Sequence, residues 1–221
     1  MASRIRIAAL GLPLLALGGA ISWASTDAPT PPSAGKPKRI VSINLCADQL
    51  VLALADREQI AGVTRNATDA EMSGESAKAR GLPVLKNSAE QILAIDPDLI
   101  IGMPASRSAP MRALKGHSYN LLDLETANTV DEIYVSIRQT AAAVGHPERG
   151  DALVARMQAQ LAGIGRSGGG KVAAYYQRRG FMTGTGTLID DLMRRMGLVN
   201  LAAKLGKPPL SQLSIEEMVA A

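Results

Sequence analysis

From residue 39 onward, short apolar runs alternate with segments whose apolar residues recur at helical spacing. The runs have the length of buried strands. A strand is predicted over residues 39–43, a helix over residues 47–55 and a second strand over residues 60–64. Further strand-like runs lie at residues 83–86, 99–102 and 119–124. This regular order of strand and helix predicts an α/β fold.

A long helical pattern separates this first group of strands and helices from a second group, which lies C-terminal to it. Thr129 and Glu132 have the spacing of a capping box, and apolar residues recur at helical spacing as far as residue 164, with an interruption at residues 145–147. About 35 helical residues span on the order of 50 Å, which suits a backbone helix that joins two lobes. We therefore predict an N-terminal α/β lobe over residues 39–127, an interlobe helix over 128–166 and a partial C-terminal α/β lobe over 167–221.

The second group is short. Residues 171–177 predict a strand, residues 187–196 predict a helix, and Ser214 starts another helix that is still running at Ala221. A lobe of this length could not bury a sheet of its own. We expect that this second lobe is truncated at its C-terminal end.

The first 24 residues have the three-part order of a secretory signal peptide. Arg4 and Arg6 are basic, residues 7–21 are apolar, and Ser22 and Ala24 supply small side chains before the expected cut. The apolar run is shorter than the roughly 20 residues that span a bilayer. We predict a cleaved leader, export to the periplasm as a soluble protein, and a flexible lead-in over residues 25–38, which are rich in Pro and Ser.

Composition excludes several function classes. The chain has 221 residues, and its net charge of +4 falls to about +2 once the basic residues of the leader are removed. A charge this small does not indicate a nucleic-acid-binding surface, and with only 3% aromatic residues the chain offers few side chains on which bases could stack. A single cysteine and two histidines exclude an internal disulfide, a cysteine metal cluster and a multi-histidine metal site.

Few residues carry candidate chemistry. Cys46 lies where the first strand meets the first helix and is the candidate nucleophile, but no histidine occurs in the neighbouring elements, so we assign no catalytic residue. His117 and His146 are expected to be solvated or to cap helices. Glu90 and Glu216 each lie two residues after a serine that opens a helix, one in each lobe. The helix dipole alone explains acidic residues there, but the equivalent placement also fits a paired role.

Three segments carry a recognisable family pattern, and they are residues 39–64 (RIVSINLCADQLVLALADREQIAGVT), residues 88–102 (SAEQILAIDPDLIIG) and residues 181–202 (FMTGTGTLIDDLMRRMGLVNLA). These segments resemble periplasmic binding proteins of the ferric-siderophore and cobalamin class, which serve ABC importers. The resemblance covers residues 38–221. It implies two Rossmann-like lobes joined by one long helix, with the ligand in the cleft between them. It also implies that Glu90 and Glu216 contact arginines of the permease.

The resemblance further implies that the chain binds a metal chelate, which is a ferric siderophore, haem or cobalamin, without a resident cofactor or metal. Open α/β sheets bind ligands at the ends of their strands. The candidate ligand-binding residues are Asn44, Arg65, Asn66, Met103, Arg107, Tyr176, Arg178 and Phe181. The basic side chains favour anionic ligands, whereas Met103 and Phe181 suit a corrin. The expected partner is an ABC transporter permease dimer in the inner membrane, and we expect a monomer.

Two other functions were weighed from the same residues. An exported hydrolase would use Cys46 or a serine as its nucleophile, but the sequence offers no convincing pair of nucleophile and base. A scavenger of bare metal ions ranks lowest, because it needs a cluster of histidines and carboxylates that the sequence lacks.

Overall fold

A five-stranded parallel sheet forms the centre of the structure. The computed structural model describes residues 35–86 and 88–221, so the expected leader and most of the lead-in lie outside the described residues. The spatial order of the strands is β3-β2-β1-β4-β5, and every neighbouring pair is parallel. The strands are β1 (Ile40–Ser42), β2 (Ile60–Thr64), β3 (Val84–Leu85), β4 (Leu99–Gly102) and β5 (Leu121–Asp123). The sheet confirms the predicted α/β class.

Helices cover both faces of this sheet. The central strands β1 and β4 are buried along their whole length, and successive residues point to opposite faces. Ile40 and Ile101 contribute to a core on one face, whereas Val41 and Ile100 contribute to a core on the other. The helices of this group are α1 (Leu45–Leu54), α2 (Ser76–Ala79), α3 (Ala89–Ile95) and α4 (Ala109–Ala113).

Side-chain caps fix where these helices begin. The Asn44 side chain accepts a hydrogen bond from the Ala47 amide, so α1 starts two residues before the predicted position. The Ser88 hydroxyl accepts from the Gln91 amide in the same way. Such caps satisfy amides that have no partner inside the helix.

The predicted interlobe segment is helical, but it is not one continuous helix. It forms α5 (Val130–Ala143) and α6 (Pro147–Ala162), which fold back against each other. Arg138 of α5 pairs with Asp151 of α6 at 2.9 Å. A β-carbon at Gly150 would lie 2.5 Å from that of Ala141, so this close approach requires glycine. The expected span on the order of 50 Å is therefore wrong, because the chain reverses at the interruption seen in the sequence.

A cluster of polar side chains around buried His146 holds this reversal in place. His146, expected to be solvated or to cap a helix, is instead buried with its Nε2 2.8 Å from a carboxylate oxygen of Asp56, and its side chain makes no cap hydrogen bond. Arg149 donates to the other oxygen of Asp56 at 2.6 Å. Hydrogen bonding from Arg149, and then from His146, lowers the pKa of Asp56. The cluster joins the end of α1 to the start of α6.

The second group of elements pairs in two small sheets. Strands β6 (Val172–Ala173) and β8 (Val199–Asn200) are parallel, and β7 (Phe181–Thr183) and β9 (Leu210–Gln212) are antiparallel. The strand predicted over residues 171–177 is thus much shorter, and the antiparallel pair was not predicted. A β-carbon at Gly184 would collide with the Pro208 carbonyl at 2.0 Å, so glycine is needed where β7 passes β9. The helices of this group are α7 (Leu188–Arg195), α8 (Leu201–Lys204) and α9 (Ile215–Val219).

Helix α7 joins the second group to the helix pair. The buried carboxylate of Asp191 accepts from the Val130 amide at 3.0 Å, and Arg194 and Arg195 donate to it at 2.8 and 2.7 Å. Burial acts to raise the pKa of Asp191, but the bonds from Val130 and the two arginines together lower it. Since α5 also packs against α1, it contacts both groups of elements.

Candidate functional site

The carboxyl ends of β1 and β4 mark a switch in the direction of the chain. From β1 the sheet grows through β2 to β3 on one side, and β4 and β5 lie on the other. Connections that leave in opposite directions open a crevice at such a point, which is where open α/β sheets bind ligands. Asn44 follows β1, and its amide donates to the Met103 carbonyl, which follows β4, at 3.1 Å. One side chain thus caps α1 and ties the two strand ends together.

A strand-end pocket of about 530 Å³ lies beside this point. It brings together three of the predicted ligand-binding residues, Asn44, Arg65 and Asn66. It also includes Lys86, which the sequence analysis missed although it directly follows β3. Its lining is formed by Ile43, Asn44, Leu45, Thr64, Arg65, Asn66, Val84, Leu85 and Lys86.

A fully buried carboxylate, that of Asp48, is hydrogen-bonded to a residue that lines the pocket. Asp48 accepts hydrogen bonds from the amide and the hydroxyl of Thr64, a lining residue. Burial raises the pKa of Asp48, and the bonds from Thr64 only partly oppose that shift. The sequence signal for this residue is an acidic position within a largely apolar helix, and it was not singled out.

Met103 and Arg107 lie outside the lining of the strand-end pocket. Met103 is half-buried and packs against the core beneath α1, and Arg107 is exposed. The loop that carries them is held by Asp123 at the end of β5, whose carboxylate accepts from the amides of Ala105 and Ser106 at 2.6 and 3.2 Å. The loop therefore has a fixed backbone next to the switch point.

A second cavity, the arginine pocket, lies in the second group and also measures about 530 Å³. It brings together the predicted residues Arg178 and Phe181. The predicted Tyr176 lies outside its lining, and its hydroxyl donates to the Leu213 carbonyl at 3.0 Å. The lining is formed by Gln177, Arg178, Arg179, Phe181 and Leu210. The two pockets share no lining residue.

Glu90 and Glu216 occupy equivalent positions in the first turns of α3 and α9, and both are fully exposed. Backbone hydrogen bonding at the helix start, with help from the preceding serine, lowers the pKa of each. Helix α9 is held by Met218, which packs against the hydrophobic core of the second group of elements, and by Lys207, which pairs with Glu217 at 3.1 Å. Both carboxylates are thus charged and accessible.

The geometry offers no support for the hydrolase. Cys46 is exposed in the first turn of α1. The imidazole of His146 lies past the other end of that ten-residue helix, where it binds Asp56, so about 15 Å of helix separates the two residues. Within the described residues, there is no group of three or more histidine, cysteine or acidic side chains placed to hold a metal ion. No helix in the same part of the chain is long and apolar enough to cross a membrane.

The fold resembles that of two-lobed binding proteins, and comparison with known proteins agrees. The model of the periplasmic binding protein family matches residues 40–221, and the chain belongs to this family. The chain is 22% identical over 191 residues to a cobalamin-binding protein of Halobacterium salinarum, covering 84% of this chain and 52% of that protein. It is 28% identical over 132 residues to an uncharacterized ABC transporter substrate-binding lipoprotein of Bacillus subtilis, covering 58% of this chain and 41% of that protein. The chain spans about half the length of these relatives.

A solved structure shows the same fold. The periplasmic haem-binding protein of Roseiflexus sp. RS-1 in its apo form superposes with a TM-score of 0.61 at 29% identity. The match covers 84% of this chain and 73% of that one. The likeness extends across both groups of elements.

Proposed function

We propose that this protein is a non-enzymatic receptor that captures a metal chelate and delivers it to an ABC transporter permease. The observation that carries the proposal is the strand-end pocket, which gathers Asn44, Arg65 and Asn66 beside the switch point of a parallel sheet. Membership of the periplasmic binding protein family supports it. The names of the relatives place cobalamin and haem among the candidate ligands.

The chelate is cargo, so the protein needs no resident cofactor or metal of its own. We propose that the strand-end pocket and the arginine pocket contribute the two sides of one binding cleft, with Met103 and Arg107 at its border. Asn44 is the central side chain because it fixes both strand ends at once. The residues that line the pockets bind and orient the ligand, and no bond is made or broken.

Calorimetric titration of the chain with ferric siderophores, haem and cobalamin tests the receptor function. We expect saturable binding of at least one chelate, weakened about tenfold or more by Asn44→Ala, because that change removes a polar contact and loosens the pocket. Arg156→Ala is the matched control, since Arg156 is exposed on α6 and far along the chain from either pocket. Absence of binding by every chelate contradicts the proposal.

We also propose export through cleavage after Ala24, followed by action as a monomer in the periplasm. The family and the substrate-binding lipoprotein relative support this location. Mass spectrometry of the periplasmic protein should give an N-terminus at Ser25. A retained Met1 contradicts cleavage.

Glu90 and Glu216 are proposed to meet basic residues of the permease dimer. Replacing both by alanine should leave chelate affinity unchanged, because neither lines a pocket, and should lower the ligand-stimulated ATP hydrolysis of the reconstituted transporter. Added salt should weaken docking of the unchanged protein. Glu71→Ala with Glu125→Ala is the matched control of two other exposed acids. Lost chelate binding with intact docking contradicts this role.

A further inference from the structure

We infer that the strand-end pocket selects a negatively charged chelate over an uncharged one, an inference that rests on the proposed receptor function. Arg65 and Lys86 both line the pocket and are exposed, and no acidic residue is part of its lining. Within residues 35–86 and 88–221, neither side chain makes an ion pair or a side-chain hydrogen bond. Their two positive charges are available to a ligand.

Asp48, whose carboxylate bonds to the lining residue Thr64, does not cancel those charges from within the pocket. Asp48 is fully buried, and its oxygens are occupied by the amide and hydroxyl of Thr64. Burial raises its pKa, which disfavours its charged form. Asn66, and the second amide hydrogen of Asn44, add neutral groups that can donate to anionic oxygens.

Two arginines that line another cavity of this molecule are paired with carboxylates. A third cavity, of about 740 Å³, is lined by Arg194 and Arg195, but Asp191 and Asp131 line it as well. Arg195 bonds to both carboxylates at 2.7 and 2.9 Å, and Arg194 bonds to Asp191. Those arginines stabilise the fold, and the two carboxylates neutralise their charges. The strand-end pocket differs because its positive charges have no such partners.

The arginine pocket repeats the same pattern. Arg178 and Arg179 are exposed, no acid lines the pocket, and no ion pair involves either residue in the described part of the chain. Arg179 adopts a left-handed backbone (φ 62°), which side-chain-bearing residues rarely adopt. Phe181 beside them adds one aromatic face. Guanidinium groups bind carboxylate and catecholate oxygens through several parallel hydrogen bonds. Both pockets therefore favour a ligand rich in anionic oxygens.

Three probes of different charge test the inference by calorimetry on the chain. They are a trianionic ferric tris-catecholate, an uncharged ferric tris-hydroxamate and uncharged cyanocobalamin. We expect the tris-catecholate to bind at least about tenfold more tightly than either uncharged probe, because only the anion gains a net Coulomb attraction to the unpaired positive charges of the pockets. Its affinity should also fall as salt is added.

Charge-removing variants locate the effect. Arg65→Gln and Arg178→Gln should each weaken the tris-catecholate about tenfold and leave the uncharged probes nearly unchanged. Arg156→Gln is the matched control, because Arg156 is exposed, lies outside the lining of both pockets and makes no ion pair within residues 35–86 and 88–221. Circular dichroism confirms that each variant is folded.

The outcomes separate this inference from the receptor function itself. If an uncharged probe binds as tightly as the tris-catecholate or more tightly, the inference of charge selection is wrong, whereas the proposed receptor function is supported. Tris-catecholate binding that neither variant weakens overturns the assignment to these pockets. If none of the three probes binds, the inference of charge selection is wrong. If haem also does not bind, the proposed receptor function is wrong as well.

Discussion

Two buried aspartates show how differently the two halves of this molecule treat a negative charge. Asp48 accepts hydrogen bonds from Thr64, which lines the strand-end pocket, and makes no ion pair within the described residues. Asp191 lies where α5 meets α7, against the first amide of α5 and two arginines. The pKa of Asp48 is raised by burial, whereas the pKa of Asp191 is lowered because its partners outweigh burial. The charged partners, more than the depth of burial, decide the direction.

The largest effect is expected when Asp191 is removed. Asp191→Ala leaves the Val130 amide and two arginines without their acceptor, so the free energy of unfolding should fall by about 2–3 kcal/mol. Urea denaturation measures it. Asp131→Ala is the matched control, since Asp131 pairs with the same Arg195 but is 75% exposed, and its loss should cost much less. If the free energy of unfolding falls equally in both variants, then Asp191 does not stabilise the contact between α5 and α7 more than an exposed ion pair does.

A smaller effect is expected at the strand-end site. Thr64→Val keeps the shape of the side chain but removes the hydroxyl that bonds to buried Asp48, which should lower the free energy of unfolding by about 1–2 kcal/mol. Thr68→Val provides the control, because the Thr68 hydroxyl bonds an exposed carbonyl. An unchanged Thr64→Val protein would mean that Asp48 is satisfied without this hydroxyl.

The smallest effect is a difference in pH dependence between the two aspartates. The folded pKa of Asp48 is raised above its ordinary 3.8, so its contribution to stability falls as pH rises from 3.8 through the folded pKa. The folded pKa of Asp191 is lowered, so its contribution is complete above 3.8 and is lost as pH falls through the folded pKa.

Denaturation of Asp48→Asn and Asp191→Asn at a series of acidic and neutral pH values measures both contributions. The stability difference between the unchanged protein and Asp48→Asn should shrink as pH rises. The corresponding difference for Asp191→Asn should grow. If both differences change in the same direction, then the contrast between the two sites is mistaken.

Local signals in the sequence predicted much of this fold. The starts of α3, α5, α7 and α9 follow from Ser88, Thr129, Thr187 and Ser214, because a cap needs only the residues of the next turn. The buried strands β1 and β4 follow from their unbroken apolar runs. Each of these features is set by neighbours a few positions away.

Features that depend on distant partners were missed. The chain reversal between α5 and α6 requires Gly150 to fit against Ala141. The spacing of apolar residues within each segment did not predict this reversal, because it is the same in one straight helix and in two helices packed together. The pairing of β7 with β9 joins residues about thirty positions apart. In the site, Asn44, Arg65 and Asn66 were found because they follow strands, and the same rule applied to β3 would have found Lys86.

The way the chain enters the sheet has a practical consequence for handling the protein. The amides of Lys38 and Arg39 both donate to the Asp98 carboxylate at 2.8 Å, just before β1 and β4 begin. Gln59 donates to the Pro37 carbonyl at 2.7 Å and so holds the preceding residue as well. This entry point lies at the amino ends of the parallel strands, whereas the strand-end pocket lies at their carboxyl ends. An immobilising tag or a fluorescent label attached at residue 35 therefore sits on the opposite edge of the sheet and leaves the mouth of the pocket open to solution.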